Sequence, residues 1–203
     1  MFIELTEILR CPREHEESYL ICGPITMEGR DVVRGGLLCP ACHAEFPIVD
    51  RAAFFGPPDA PVQGAQAAAD SLLTAEATLT FLDLQGAGGY LVTVGAAGRL
   101  GPALGAALPR VGVVAVNPPA GVAPSAAFSV LRSPRALPIR SRSVRAVVLG
   151  ADVARDPWLA AGIGALLPGL RLVVEDGSVD PAGVTPLATG GGVFVGEKRA
   201  RGA

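Results

Sequence analysis

The chain is poor in several of the residues that chemistry most often needs. Among 203 residues there are two histidines, two tyrosines, one tryptophan and a single lysine, Lys198. Both histidines, His15 and His43, stand near the N-terminus, so Ser125 and Ser129 have no imidazole nearby in sequence to activate them, and a Ser-His-Asp hydrolase is not expected. The formal net charge of −2 gives no basic excess, which argues against a dedicated nucleic-acid binder. No run of about 18 apolar residues escapes a Gly, Pro or charge, so no membrane-spanning helix is expected. The opening MFIELTEILR carries acids where the basic start of a secretory signal would stand. A soluble, cytoplasmic protein is the expectation. Repeats of fixed period are also absent.

Half of the residues are hydrophobic, enough to bury a core in one medium domain or two small ones. Charge is unevenly distributed. Residues 1–62 hold ten acids against five arginines, and the remainder holds twelve basic residues against nine acids. An acidic front and a mildly basic back predict two units.

In a reducing compartment four cysteines point to metal or free thiols before disulfides. Leu38-Cys39-Pro40-Ala41-Cys42-His43 has the C-x2-C spacing of a zinc knuckle, with Pro40 stiffening the turn. Leu9-Arg10-Cys11-Pro12-Arg13-Glu14-His15 repeats the Leu-x-Cys-Pro start and offers His15 in place of a second cysteine. The expected ligand set is Cys11, His15, Cys39 and Cys42, with Cys22 as the rival fourth ligand and His43 a weaker one. Four protein ligands leave no open position for water, so zinc here is structural. Its loss should unfold so small a segment.

Ile8-Leu9-Arg10-Cys11-Pro12, then Gly36-Leu37-Leu38-Cys39-Pro40-Ala41-Cys42, then Phe46-Pro47-Ile48-Val49-Asp50 resembles the small zinc-ribbon activators of methyltransferases, the Trm-type activator family, over roughly residues 1–56. His15 stands where that family has Cys, and Arg51-Ala52-Ala53 where it continues Gly-Ile-Pro. The resemblance implies a non-enzymatic segment that covers an apolar methyltransferase surface, partly by strand addition.

Residues 56–66, GPPDAPVQGAQ, read as linker, with 57–64 as its centre. Residues 65–83 have helical spacing. Apolar, β-branched runs follow at YLVTVG, VGVVAVN, AAFSVLR, VRAVVLG and GLRLVVED. Helices are predicted at AGRLGPALGAAL, with Pro102 near its first turn, and at DPWLAAGIGALL, with Asp156 capping and Pro157 at the first helical position. GGVFVGEKR reads as a last, antiparallel strand. Strands apolar on both faces that alternate with helices predict a parallel, Rossmann-like sheet over 65–203. The fold class is therefore α/β, a small β ribbon plus a reduced Rossmann-like domain.

VTVGAAGRLG carries glycines after the first strand of that sheet, where backbone can approach a nucleotide. The Gly95, Gly98, Gly101 spacing resembles the short-chain dehydrogenases. That family's Tyr-x3-Lys pair is absent here, which leaves NAD binding without chemistry. The whole of 65–198 resembles a class I methyltransferase. GGYLVTVGAAG stands for its first motif, VVAVNPP for the second strand end, LPIRSRSVRAVVLGAD for the fourth strand, and ALLPGLRLVVED for the run into the fifth. The resemblance implies S-adenosylmethionine held by Gly95, Ala96, Gly98 and Asn117.

Three acids that would face this cation are missing. Thr93 stands near the first loop, Asn117 at the ribose position, and Arg140 with Ser141 at the adenine position. Asp152 reads as a loop or capping residue. After the fifth strand, residues 176–203 leave room for only a reduced form of the helix and hairpin that close a full methyltransferase. Arg132, Arg135, Arg140, Arg142 and Arg145 read as a solvated loop, with no aromatic interleaved to stack a base.

The reading that results is a non-catalytic or weakly active interaction or scaffold protein. The ribbon (1–56) supports its own Rossmann-like domain in cis, and a protein partner or second copy is met through the ribbon. The alternatives are an active S-adenosylmethionine-dependent methyltransferase and an NAD sensor.

Overall fold

A computed structural model describes residues 1–57 and 73–200. The elements run β1 (Ile21–Cys22), β2 (Thr26–Glu28), β3 (Asp31–Leu38), β4 (Glu45–Val49), β5 (Ala52–Phe54), α1 (Ala75–Leu82), β6 (Tyr90–Val94), α2 (Gly101–Ala107), β7 (Gly112–Val116), β8 (Phe128–Arg132), β9 (Ala146–Leu149), α3 (Trp158–Ala165), β10 (Arg171–Val174), β11 (Val184–Gly190) and β12 (Val193–Lys198). Short 3-10 turns add Ile3–Glu7, Gly95–Leu100 and Ala151–Val153.

One continuous sheet has the order β1-β3-β4-β5-β8-β7-β6-β9-β10-β12-β11, with β2 paired to β3. Its centre, β8-β7-β6-β9-β10, is parallel throughout. In order of appearance those strands lie 3-2-1-4-5, the doubly wound arrangement. At the far edge β12 pairs antiparallel with β10 and forms a hairpin with β11. This is the α/β, Rossmann-like layout expected from the sequence. The closing hairpin is present, while residues 175–183 form no helix.

The N-terminal antiparallel strands are not a separate sheet. β5 lies parallel to β8, with Ala52 opposite Val130, Ala53 opposite Leu131 and Phe54 opposite Arg132. Phe55 extends the ladder by donating its N–H to the Arg132 carbonyl at 2.7 Å.

Period-2 alternation splits the core into two faces. On one face Leu91, Val113, Ala115, Phe128, Val130 and Val148 meet α1 and α2 through Leu82 and Leu104. On the other, Val92, Val94, Val114, Val116, Leu131, Val147 and Leu149 pack with α3 and with Met1, Leu5, Leu9, Leu37, Phe46 and Ile48. The crossovers after β7 and β8 contain no helix. A parallel sheet needs both faces covered, and here the N-terminal segment supplies the missing layer. Phe2 N–H donates to Ser129 Oγ at 3.0 Å, and Tyr90 Oη donates to the Glu4 carbonyl at 2.9 Å. Leu9 bridges Ile139 through Arg10 N to Pro138 O at 3.0 Å and Arg140 N to Ile8 O at 2.8 Å.

Several boundaries differ from expectation for local reasons. Of the helix expected over 65–83, residues 65–72 lie outside the described chain, as do 58–64 of the expected linker. The described part starts after Thr74, whose Oγ1 accepts from Ala77 N at 3.1 Å. It ends at Leu82, where Asp83 turns left-handed at φ 47, in agreement with the end expected from the spacing. The helix after β6 opens as a 3-10 turn and becomes α only at Gly101, with Pro102 in its first turn. α3 starts at Trp158, one residue past Pro157, although Asp156 Oδ1 still accepts from Ala160 N at 3.1 Å.

Candidate metal centre and glycine loop

Two loops build the first cluster. Cys11 opens a loop closed by its own N–H to the Ser18 carbonyl at 3.0 Å. The second loop is the turn between β3 and β4, where Cys39 N donates to Ala44 O and His43 N donates to Cys39 O, both at 2.9 Å. The Cys11, His15, Cys39 and Cys42 ligand atoms all lie within 4.8 Å of one another, and the cluster contains neither Cys22 nor His43.

Cys11 Sγ is 3.7 Å from Cys42 Sγ, and Cys39 Sγ is 3.5 Å from His15 Nε2. A tetrahedron with zinc–sulfur bonds of about 2.3 Å and zinc–nitrogen bonds of about 2.0 Å has edges of roughly 3.5–3.8 Å. The donor set and its spacing therefore fit that ion. His15 Nδ1 lies 2.6 Å from the Glu16 carbonyl. Donating there fixes the tautomer that leaves Nε2 as the free lone pair.

Burial raises the thiol pKa at Cys39, but N–H donation from Cys42 and Ala41, with the neighbouring thiols of Cys42 and Cys11, outweighs it and brings Cys39 down to about 6. Burial dominates at Cys11, which is pushed up to about 12, with the Cys42 and Cys39 thiols adding to the rise. Cys39, in the β3–β4 knuckle, is thus held toward thiolate while Cys11 is held toward thiol.

The second cluster lies at the carboxyl ends of β6, β7, β9 and β10, the edge where doubly wound sheets receive ligands. Gly95, Ala96 and Gly98 form the turn after β6, and all are buried. Asn117 follows β7 with φ 52 and is fully buried. Its Nδ2 donates to Ser133 O at 2.6 Å, and its Oδ1 accepts from Ser133 N at 2.7 Å. Both ends of the amide therefore tie the β7 exit to the β8 exit.

The glycines of this loop are matched by atoms of the chain itself. A Cβ on Gly95 would lie 2.6 Å from each Asp152 carboxylate oxygen. One on Gly98 would lie 2.6 Å from Pro118 Cβ, and beyond the loop, in α2, one on Gly105 would lie 2.5 Å from the Ala127 carbonyl oxygen. Asp152 Oδ1 accepts from Ala96 N at 2.9 Å, while its Oδ2 is buried with no hydrogen-bond partner among the described residues. Thr93 is fully buried and donates to the Val114 carbonyl at 3.3 Å.

Glu175, just past β10, was not singled out by sequence reasoning. Its only sequence signal is an acid directly after an apolar strand. It is buried, with Oε1 4.0 Å from Arg99 Nη2. Burial raises its pKa, the Arg99 cation lowers it, and the nearby Asp152 charge raises it.

The arginine-rich segment is dispersed over backbone carbonyls. Arg132 donates to Pro118 O, Arg140 to Glu7 O, and Arg145 to Gly88 O and Gln85 O.

Residues 3–50 match the family model of the Trm112p-like proteins. No curated protein matches the chain. Among solved structures, the antibiotic-resistance methyltransferase Kmr is 17% identical, with 68% of this chain and 98% of that chain covered and a TM-score of 0.44. The N-terminal segment is Trm112p-like, and it is joined in one chain to the doubly wound sheet. No helix among the described residues is long and apolar enough to cross a membrane.

Proposed function

We propose that this is a methyltransferase-related scaffold protein, in which the Trm112p-like segment holds zinc and supports a reduced methyltransferase-like domain in cis. The observation that carries the reading is the parallel pairing of β5 with β8, together with the burial of the exposed sheet face under Met1, Leu5 and Leu9. Strand addition is a general way for one protein to grip another. Here both participants are in one chain, so the gripping edge is already engaged.

Zinc would be held by Cys11, His15, Cys39 and Cys42. Four protein donors leave no position for water or substrate, so its contribution is to folding. Cys39 and Cys42, in the turn between β3 and β4, would hold it and so tie the facing ends of those strands and, through them, β5. The chain's own residues then exclude water from Val114, Val116 and Leu131.

The non-catalytic or weakly active character is supported by two features at the place where Gly95, Ala96, Gly98 and Asn117 would receive S-adenosylmethionine. Thr93 brings no carboxylate to the loop, and Asn117 is turned onto Ser133. A cytoplasmic location fits four unpaired thiols, and a further protein partner or second copy would meet the ribbon's outer surface.

Deleting residues 1–57 tests cis support. The remainder should be insoluble, and a separately produced 1–57 fragment loaded with zinc should recover soluble, cooperatively melting protein. A well-behaved remainder with an unchanged melting temperature would overturn the reading.

A further inference from the structure

The turn after β6 has the position and glycine content of a cofactor seat, yet its room is taken. Asp152, from the 3-10 turn after β9, places its carboxylate directly over Gly95, where a Cβ would sit 2.6 Å from both oxygens and 2.8 Å from Val153 Cγ2. A Cβ on Gly150 would meet Asp152 Oδ1 at 2.6 Å and the amide nitrogens of Ala96 and Ala97 at 2.8 Å. Glycine at both positions is therefore explained by close approach of the chain to itself. Oδ1 is held by Ala96 N–H at 2.9 Å.

The contact is not an ordinary structural optimum. Among the described residues Asp152 Oδ2 and Glu175 Oε1 are both buried without a hydrogen-bond partner, Oε1 having only the Arg99 guanidinium 4.0 Å away, and the Asp152 charge disfavours ionisation of Glu175. Leaving such oxygens unmet is costly. A side chain that served stability alone would do better as an apolar or amide residue.

We propose that Asp152 is a built-in stopper of the glycine loop. It fills the space that a nucleotide cofactor would need, and it keeps S-adenosylmethionine and NAD out of the wild-type protein. This deepens the non-catalytic reading by naming the residue responsible. It is independent of the β5–β8 pairing, so its failure would leave cis support intact. Bulk is the working property. Asp152→Asn keeps the volume and can still accept from Ala96, so it stays closed. Asp152→Ala and Asp152→Ser remove the bulk and open the seat.

Calorimetric titration of the full-length zinc-loaded protein with S-adenosylmethionine, and separately with NAD, tests this. Wild type and Asp152→Asn should show no binding up to millimolar ligand. Asp152→Ala or Asp152→Ser should bind one of the two at least tenfold more tightly. Amide hydrogen exchange supplies a readout that needs no ligand. The Ala96 amide should be protected in wild type and exchange at least tenfold faster once the carboxylate is removed. Tight binding by wild type that weakens in Asp152→Ala would overturn the proposal, because Asp152 would then be a ligand contact. Folded Ala and Ser variants that gain no affinity would overturn it as well. If neither variant folds, an unprotected Ala96 amide in wild type overturns the proposal and a protected one supports it.

Discussion

The cysteine cluster and the glycine loop are both built from short motifs at element ends, and they do opposite things with space. The cysteine cluster gathers four donors from two loops at separations, 3.7 Å for Cys11–Cys42 and 3.5 Å for Cys39–His15, that suit an ion between them. The glycine loop gathers small residues and fills the gap from its own chain, with Asp152 on Gly95 and Pro118 on Gly98. A ligating residue carries its chemistry in its side chain. A glycine carries only permission for something to come close, and the sequence does not say what.

The largest expected break in this comparison is removal of the metal. A structural zinc contributes about 10–16 kcal/mol to a small metal domain, against about 5–15 kcal/mol for a whole fold. The residues that the ribbon orders share one core with Val114, Val116 and Leu131, so the loss should not stay local. Stripping zinc with a strong chelator, or replacing Cys39 by Ser, should abolish the cooperative thermal transition followed by circular dichroism. One zinc per chain should be released. Cys22→Ser should leave both the stoichiometry and the melt near wild type, because Cys22 is not in the cluster. A melt indifferent to chelation would remove the zinc reading.

What could be read from sequence divides between local patterns and distant partners. The C-x2-C knuckle, its Cys11 and His15 partners, the five parallel strands and the last antiparallel strand were legible because each is a local pattern: ligand spacing, or apolar β-branched runs. β11 was not legible. Val-Thr-Pro-Leu-Ala-Thr-Gly has proline in it and is mostly exposed, as an edge strand permits and a buried one does not. The family resemblance implied strand addition without naming the strands, and the pairing of β5 with β8 was not legible, since Ala52-Ala53-Phe54 is three residues long and finds its partner far along the chain. Asn117 shows the limit most clearly. Its position after the second strand points to a ribose, and its side chain is instead clamped to Ser133.

That clamp gives a middle-sized prediction. Asn117→Ala would lose two buried hydrogen bonds and leave the Ser133 N–H and C=O unmet. It would also place a Cβ residue without a compensating amide at φ 52. Together these should cost about 3 kcal/mol, seen as a lower urea midpoint with an unchanged slope. Asn117→Gly should cost less, because the backbone strain is relieved while the bonds are still lost. Were Asn117 kept for a ligand alone, both variants would melt like wild type.

The smallest effect belongs to Glu175, and its sign separates the two clusters a second time. Burial, reinforced by Asp152 and opposed by Arg99, raises the folded-state pKa of this carboxyl above its ordinary value. Between the ordinary glutamate range and that raised value, the folded protein holds a proton that the unfolded chain has released. Stability therefore falls as pH rises through the window, and it is recovered on the acid side. The Glu175 carboxyl also accepts from the backbone N–H groups of Leu73 and Ala151, and Glu175→Gln removes the ionisation while keeping an acceptor for them. It should raise the melting temperature slightly at neutral pH and flatten the dependence across the window, with little change at its acid end. Paired melts of wild type and Glu175→Gln across that range read this directly. A variant less stable than wild type at neutral pH would mean that the Arg99 charge, 4.0 Å away, outweighs desolvation, and that the carboxylate belongs to the loop as a stabilising ion pair.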